Sequence, residues 1–211
     1  MNLRQDGQEI AMVLTELTTV PDAALPVQGL KDQLRLGTGF GTDTLQDGLL
    51  TGMLRAAMAA IEGRIGKALL SRQFLLRLED WSSLDEQPLP VAPVGTIASV
   101  AMVDGAGAQA ALDPATWRLV PDMHRPKLAA VGLLFPNVPE DGHIEITFDA
   151  GLAASWAGLP GDLAQAVMIL AATYYEGRHD QGQAQVAGLP HAVVALIERW
   201  RTVRLLGGGI G

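Results

Sequence analysis

Hydrophobic residues first repeat along this chain at helical spacing. Residues 27–36 read as a short helix, with Leu30 and Leu34 four apart and Gly37 as a left-handed stop. A longer helix is expected from near Asp43, capped by Thr42 or Asp43, with Gln46 three residues after Asp43 as in a capping box. Its apolar stripe is Leu45, Leu49, Met53, Ala57, Ile61 and Ile65, widened by Leu50, Leu54 and Met58, and it ends at about residues 66–70. Between the two helices lies the glycine loop GTGFGTD.

The period then changes to two. Phe74, Leu76 and Leu78 alternate with Gln73, Leu75, Arg77 and Glu79, as in a half-buried strand. A proline-bounded strand follows over 96–103, with a turn at Asp104-Gly105, and ATWRLV is another short strand. GHIEITFDAG gives the clearest alternation: Ile144, Ile146 and Phe148 on one face, His143, Glu145 and Thr147 on the other. Helical spacing returns after Pro160, with Asp162 as the cap and Leu163, Val167, Leu170, Ala171 and Tyr174 on one face. Pro190 opens a last helix carrying Val193, Val194, Ile197, Trp200, Val203 and Leu205, and GGGIG closes the chain.

The fold class predicted by this pattern is α+β, mainly α: a small helical bundle with an inserted small β-rich segment and a C-terminal helix and tail. The expected parts are an N-terminal leader over 1–25, helical body over 26–70 and 151–189, a β-rich insertion over 71–150, and a C-terminal helix and flexible tail over 190–211. Met12 reads as a natural start, with the first eleven residues an upstream extension.

Composition narrows the function classes. The 211 residues are 48% hydrophobic and 18% charged, which is globular composition, and only 5% are aromatic, so the core rests on aliphatic side chains. With no cysteine, disulfides, thiol catalysis and cysteine metal sites are excluded. No apolar run has a membrane span's length and no signal h-region opens the chain, so a soluble protein made in the cytoplasm is expected. The net charge of −8 argues against binding nucleic acid through counterion release. Residues 190–211 hold Arg199, Arg201 and Arg204 against Glu198, a balance of +2, which leaves −10 on residues 1–189. That asymmetry fits either a directional interaction with an acidic partner or cations set against their own helix dipole.

Candidate chemistry is sparse. GTGFGTD resembles a phosphate cradle, but the P-loop lysine and Ser/Thr pair are missing and no hydrophobic strand precedes it. Asp141, His143 and Glu145 lie at period two and have metal-ligand chemistry, yet an exposed strand face is ordinarily polar. Glu79, Asp80, Asp85 and Glu86 surround Trp81 and could run acid/base chemistry, but a solvated acidic turn explains them as well. No G-x-S-x-G is present, and the histidines, at 124, 143, 179 and 191, are scattered. YYEGRHD, residues 174–180, mixes tyrosine, acid, arginine and histidine and reads as a helix terminus. Tyr174 continues the Leu163/Val167/Leu170 stripe into the core or a subunit seam, Tyr175 lies at its edge, and Arg178 favours the dipole. No catalytic residue, metal or cofactor is expected.

The ordered landmarks are LTTVPDAALPVQGLKDQLRL before LLTGMLRAAMAAIEGRIGKALL, LPVAPVGTIASVAMVDGAG before WRLV, IEITFDAGLA before LPGDLAQAVMILAATYYEGRHD, and GLPHAVVALIERWRTVRL at the end. From about residue 16 to 206 this set resembles the head–tail connector, or adaptor, family of HK97-like tailed phages and of gene transfer agents, with Tyr175-Glu176-x-Arg178 as the best local mark. The resemblance implies a ring of copies, usually twelvefold, beneath the portal protein. Such a ring extends the channel through which double-stranded DNA passes without specific binding, and offers a platform to the downstream neck or tail component. It implies ring packing through Leu163, Val167, Leu170, Tyr174, Tyr175 and Arg178, and portal docking through Ile197, Arg199, Trp200, Arg201, Arg204 and Leu205 of the C-terminal arm. No membrane partner is implied. The alternatives are another neck protein, such as a head-completion or tail-terminator factor, and less readily a small metal-binding module or enzyme.

Overall fold

The structure, a computed structural model, describes residues 11–35, 46–132, 134–179 and 188–201. The chain divides into two compact units, one of Met1–Pro21 with Lys67–Ser155, the other of Asp22–Gly66 with Trp156–Gly211. Among the described residues four α-helices stand beside eight strands in two antiparallel sheets. This overturns the expected mainly helical bundle.

Among the described residues the first unit holds all the strands. Strands β1 (Met12–Glu16), β2 (Arg72–Leu78), β8 (His143–Ala150), β4 (Val94–Val103) and β5 (Gln109–Ala111) form a five-stranded sheet in the order β1-β2-β8-β4-β5. Strands β3 (Glu86–Pro88), β7 (Lys127–Ala130) and β6 (Trp117–Val120) form a second sheet in the order β3-β7-β6. β8 is central because its alternation is complete: Ile144, Ile146 and Phe148 are fully buried and Ala150 nearly so, while the residues between them are half-buried. It pairs antiparallel with β2 on one side and with β4 on the other, where two irregularities of register interrupt the ladder. The inner face of this sheet shares one core with Trp81, Leu89, Leu128 and Phe135. Trp81 stacks on Phe135 at 4.1 Å between centroids and donates its indole N–H to the Pro136 carbonyl at 3.0 Å.

The strands that the sequence pattern missed are the short or one-sided ones. β3 and β5 have three residues each and β7 four, too few to display a period. β1 falls within the stretch expected to be a loose leader. Among the described residues only one of its edges is paired, and four of its five residues are exposed, so MVLTE lacks a clean buried alternation.

The second unit holds α1 (Val27–Gln33), α2 (Asp47–Ile65), α3 (Gly161–Glu176) and α4 (His191–Ile197), and α3 packs against each of the other three. The inward stripe of α2 is Leu50, Leu54, Ala57, Met58, Ile61 and Ile65. Its first half is therefore one position round from the expected Leu49 and Met53, and Leu49 is exposed. α2 begins at Asp47, with no side-chain cap at Gln46, and ends where Gly66 takes the left-handed conformation. The expected caps Thr42 and Asp43, the glycine loop, the Gly37 stop and Leu45 lie outside the described residues. So do Asp180, Val203, Arg204, Leu205 and the glycine tail.

Two glycines separate tight from open packing. A Cβ on Gly151, just after β8, would meet the Ser71 backbone at 2.4 Å, whereas one on Gly161, the first residue of α3, would meet nothing within 4 Å. Gly151→Ala should lower unfolding free energy by about 3 kcal/mol or more, and Gly161→Ala should change it by no more than about 1 kcal/mol, both read by chemical denaturation.

Candidate functional site

The described residues expected to carry docking and ring packing fall within the helical unit, and Asp162 joins two of the docking set, Arg199 and Trp200. Asp162 is the second residue of α3, and Pro160, not Asp162, occupies the cap position. The Asp162 carboxylate accepts the Leu163 amide at 3.0 Å, the Trp200 indole N–H at 2.7 Å and the Arg199 guanidinium at 2.7 Å. Burial pushes this carboxyl up. The bond from Trp200, the Leu163 amide and Arg199 together outweigh that and hold it below the ordinary carboxylate range. Its position in the first turn also favours the negative charge.

This cluster ties the base of the C-terminal segment to α3. α4 buries Val193 and Ile197 completely and passes into a 3-10 turn over Glu198–Trp200. Arg201 closes the turn, its guanidinium donating to both Glu198 carboxylate oxygens at 3.0 and 3.1 Å. Ile197, Trp200 and Arg199 are thus engaged inside their own unit, Arg199 while still largely exposed. Arg204 and Leu205 lie outside the described residues.

Leu163, Val167 and Leu170 are core residues, with 1% exposure or less. The two tyrosines exchange the expected places. Tyr175 is buried, donates its hydroxyl to Gln46 Oε1 at 2.9 Å and carries the Arg178 guanidinium over its ring at 3.7 Å, while Tyr174 is half-buried. Arg178 also donates to the Tyr175 carbonyl. The last turn of α3 is set by the start of α2, so the buried stripe runs through Ala171 to Tyr175. The partner residue, Gln46, is 129 positions away, and no spacing rule could have found it. Asp162 and Trp200, 38 apart, were equally hidden as a pair.

The other candidate chemistry resolves into structural contacts. Arg77 meets His143 Nδ1 at 3.2 Å, and His143 Nε2 meets Glu145 at 3.3 Å, beside a cleft of about 340 Å³ that Glu79, Asp141 and Val13 also line. Among the described residues no three His, Asp or Glu side chains converge as metal ligands. The acids around Trp81 disperse: Asp80 accepts the Trp81 amide, Asp85 the Ser83 hydroxyl, and Glu86 pairs with Lys127. Lys67 is buried in the strand-bearing unit with its amine 2.8 Å from His124 Nδ1. Burial lowers its pKa, against the opposing charge of Asp122. Among the described residues no helix is long and apolar enough to cross a membrane.

The lowered pKa of Asp162 fixes a sign. Its contribution to stability is complete above the unfolded carboxylate pKa and is lost as pH falls through the lower folded value. Asp162→Asn should cost about 1–3 kcal/mol at neutral pH. It should also flatten the loss of stability that the parent protein shows below about pH 4, followed by thermal melts across that range.

No protein-family model and no curated protein matches this chain. Solved structures do. A chain in the neck of an empty gene transfer agent particle, computed with C6 symmetry, superimposes with a TM-score of 0.83 at 55% identity, over 93% of this chain and 98% of that one. A chain in the virion of a native gene transfer agent particle gives 0.80 at 54% identity, over 92% and 98%. A chain in the neck of a native particle, computed with C12 symmetry, gives 0.78 at 51% identity, over 93% and 98%. With more than half of the aligned residues identical over nearly the whole of both chains, this chain belongs to the family of structural neck proteins of gene transfer agent particles.

Proposed function

We propose that this chain is the head–tail connector, or adaptor, of its particle: a ring of copies, twelve in number, beneath the portal protein, extending the DNA channel and linking the head to the next neck or tail component. The observation that carries this reading is the identity of 51% with a chain from a native gene transfer agent neck computed with C12 symmetry. The charge supports it, since residues 1–189 carry −10 and an acidic channel wall repels passing phosphate instead of gripping it.

The C-terminal segment divides in two. Residues 190–201 are its base, held by Val193, Ile197 and the Asp162 cluster. Residues 202–211, with Arg204 and Leu205, are the part proposed to reach the portal. The downstream component is assigned to the strand-bearing unit. Leu84 and Leu134 are 58% and 57% exposed there, and their segments are joined by the Phe135 amide bonded to the Leu84 carbonyl at 2.7 Å. Adjoining exposed apolar side chains of this kind suit a protein contact.

Truncation separates base from arm. A chain ending at Arg201 should keep the parent melting temperature and lose portal binding, measured by co-sedimentation with purified portal. A chain ending at Leu189 should lose the helical unit's stability as well. Full-affinity binding by the chain ending at Arg201 would refute the arm, and no binding by the full chain would refute the adaptor role.

A further inference from the structure

Among the described residues the larger sheet ends in two open edges, β1 and β5. The pairing of β1 with β2 fixes which of its backbone groups face outward. The Leu17 amide donates to the Gln73 carbonyl at 2.8 Å and the Glu79 amide to the Ala11 carbonyl at 3.3 Å, and the register between them sets Val13 opposite Arg77. The odd-numbered residues therefore bond to β2. The N–H and C=O groups of Met12, Leu14 and Glu16 point away from the sheet. At the other edge the Leu112 amide donates to the Val100 carbonyl at 2.8 Å and the Asp104 amide to the Ala108 carbonyl at 3.0 Å. Even-numbered residues there bond to β4, which leaves the backbone groups of Gln109 and Ala111 facing outward. Each edge thus offers outward groups at the same two-residue spacing.

Neither edge carries the usual protection against pairing. Lysine and proline are the common guards of edge strands, and β1 and β5 contain neither. The one charge on the two strands, Glu16, is held by Arg72 at 2.9 Å. Val13 is 56% exposed and Leu17, just beyond the strand, 47%. The flank of β5 is AGAQAAL, small and uncharged, so another strand can approach it closely.

Direction selects the occupant. Five strands that alternate in an antiparallel sheet leave the first and last running the same way. A second copy related by a small rotation can therefore set its β1 beside the β5 of the first as a parallel pair, with its own β5 left open for a third. Such a head-to-tail interface does not pair a surface with itself, and it closes only as a ring. We propose that copies of this chain join edge to edge, β5 of one to β1 of the next, so that the five-stranded sheets form one continuous sheet around the ring. This rests on the ring reading above and adds the surface that makes it. Backbone bonds supply the association, as in strand addition generally.

The absence of native cysteine makes the test direct. Val13 and Ala111 lie in one cross-sheet row, Val13 opposite Arg77, Arg77 opposite Glu145, Glu145 opposite Ala101 and Ala101 opposite Ala111, so both side chains share a face. The full-length double variants Val13→Cys/Ala111→Cys and Val13→Cys/Gln109→Cys cover the two adjacent registers. Mild oxidation of the ring preparation should give, in at least one of them, a non-reducing ladder extending well past the dimer. The three single variants should stop at the dimer. Leu14→Pro removes an outward N–H that β2 does not use, and should abolish rings in electron micrographs with the melting temperature retained. Rings without a ladder in either double variant, or rings that persist in Leu14→Pro, overturn the edge pairing and leave the connector role standing. Absence of rings in the parent protein together with absence of a ladder in both double variants overturns both.

Discussion

Pairing of β8 on both its edges is the constraint on which the strand-bearing unit depends. β2 and β4 are separated in sequence by the whole of β3, and β8, which begins only at His143, is what joins them. Ile144, Ile146 and Phe148 stand on its inner face with no exposure, each worth about 1.5–3 kcal/mol of burial. The stack of Phe74 on Phe148 at 5.7 Å ties that face to β2. Gly151 follows at a point where the Ser71 backbone leaves no room for a side chain. A strand fixed so firmly at the centre sets the register of the whole sheet, and with it the backbone groups presented along its outer strands, β1 and β5.

The helical unit has its own counterpart in Asp162. One carboxylate at the start of α3 gathers an amide, an indole and a guanidinium, and the last two come from the turn after α4. The chain up to Arg201, whose guanidinium bonds Glu198, is therefore held against the start of α3. Ile197, buried completely, and Trp200, bonded to Asp162, hold that base in place.

Legibility in the sequence followed the number of repeats each element contains. The eight residues of β8 and the seven of β2 showed their alternation plainly, and α3 showed its stripe over sixteen. β1 could not be seen because an edge strand buries little, and β3, β5 and β7 because three or four residues display no period. That deficit turned a chain with two sheets into an expected helical bundle. The tyrosine exchange has a different origin. Helical periodicity placed Tyr174 inward, but the side chain that decides the matter, Gln46, comes from the start of α2. The ordered landmarks pointed to the neck-protein family before any of these contacts was visible, since relatedness is carried by the whole series of residues and not by the geometry of a few.

The central claim is that this chain forms the ring linking portal to tail, and cryo-electron microscopy of the particle neck from cells expressing it tests this most directly. The account predicts a closed ring of this chain directly below the portal, with residues 202–211 against portal density and the strand-bearing units meeting the next component. Density for the chain at the distal end of the neck, or a ring whose C-terminal residues touch no portal, would contradict it.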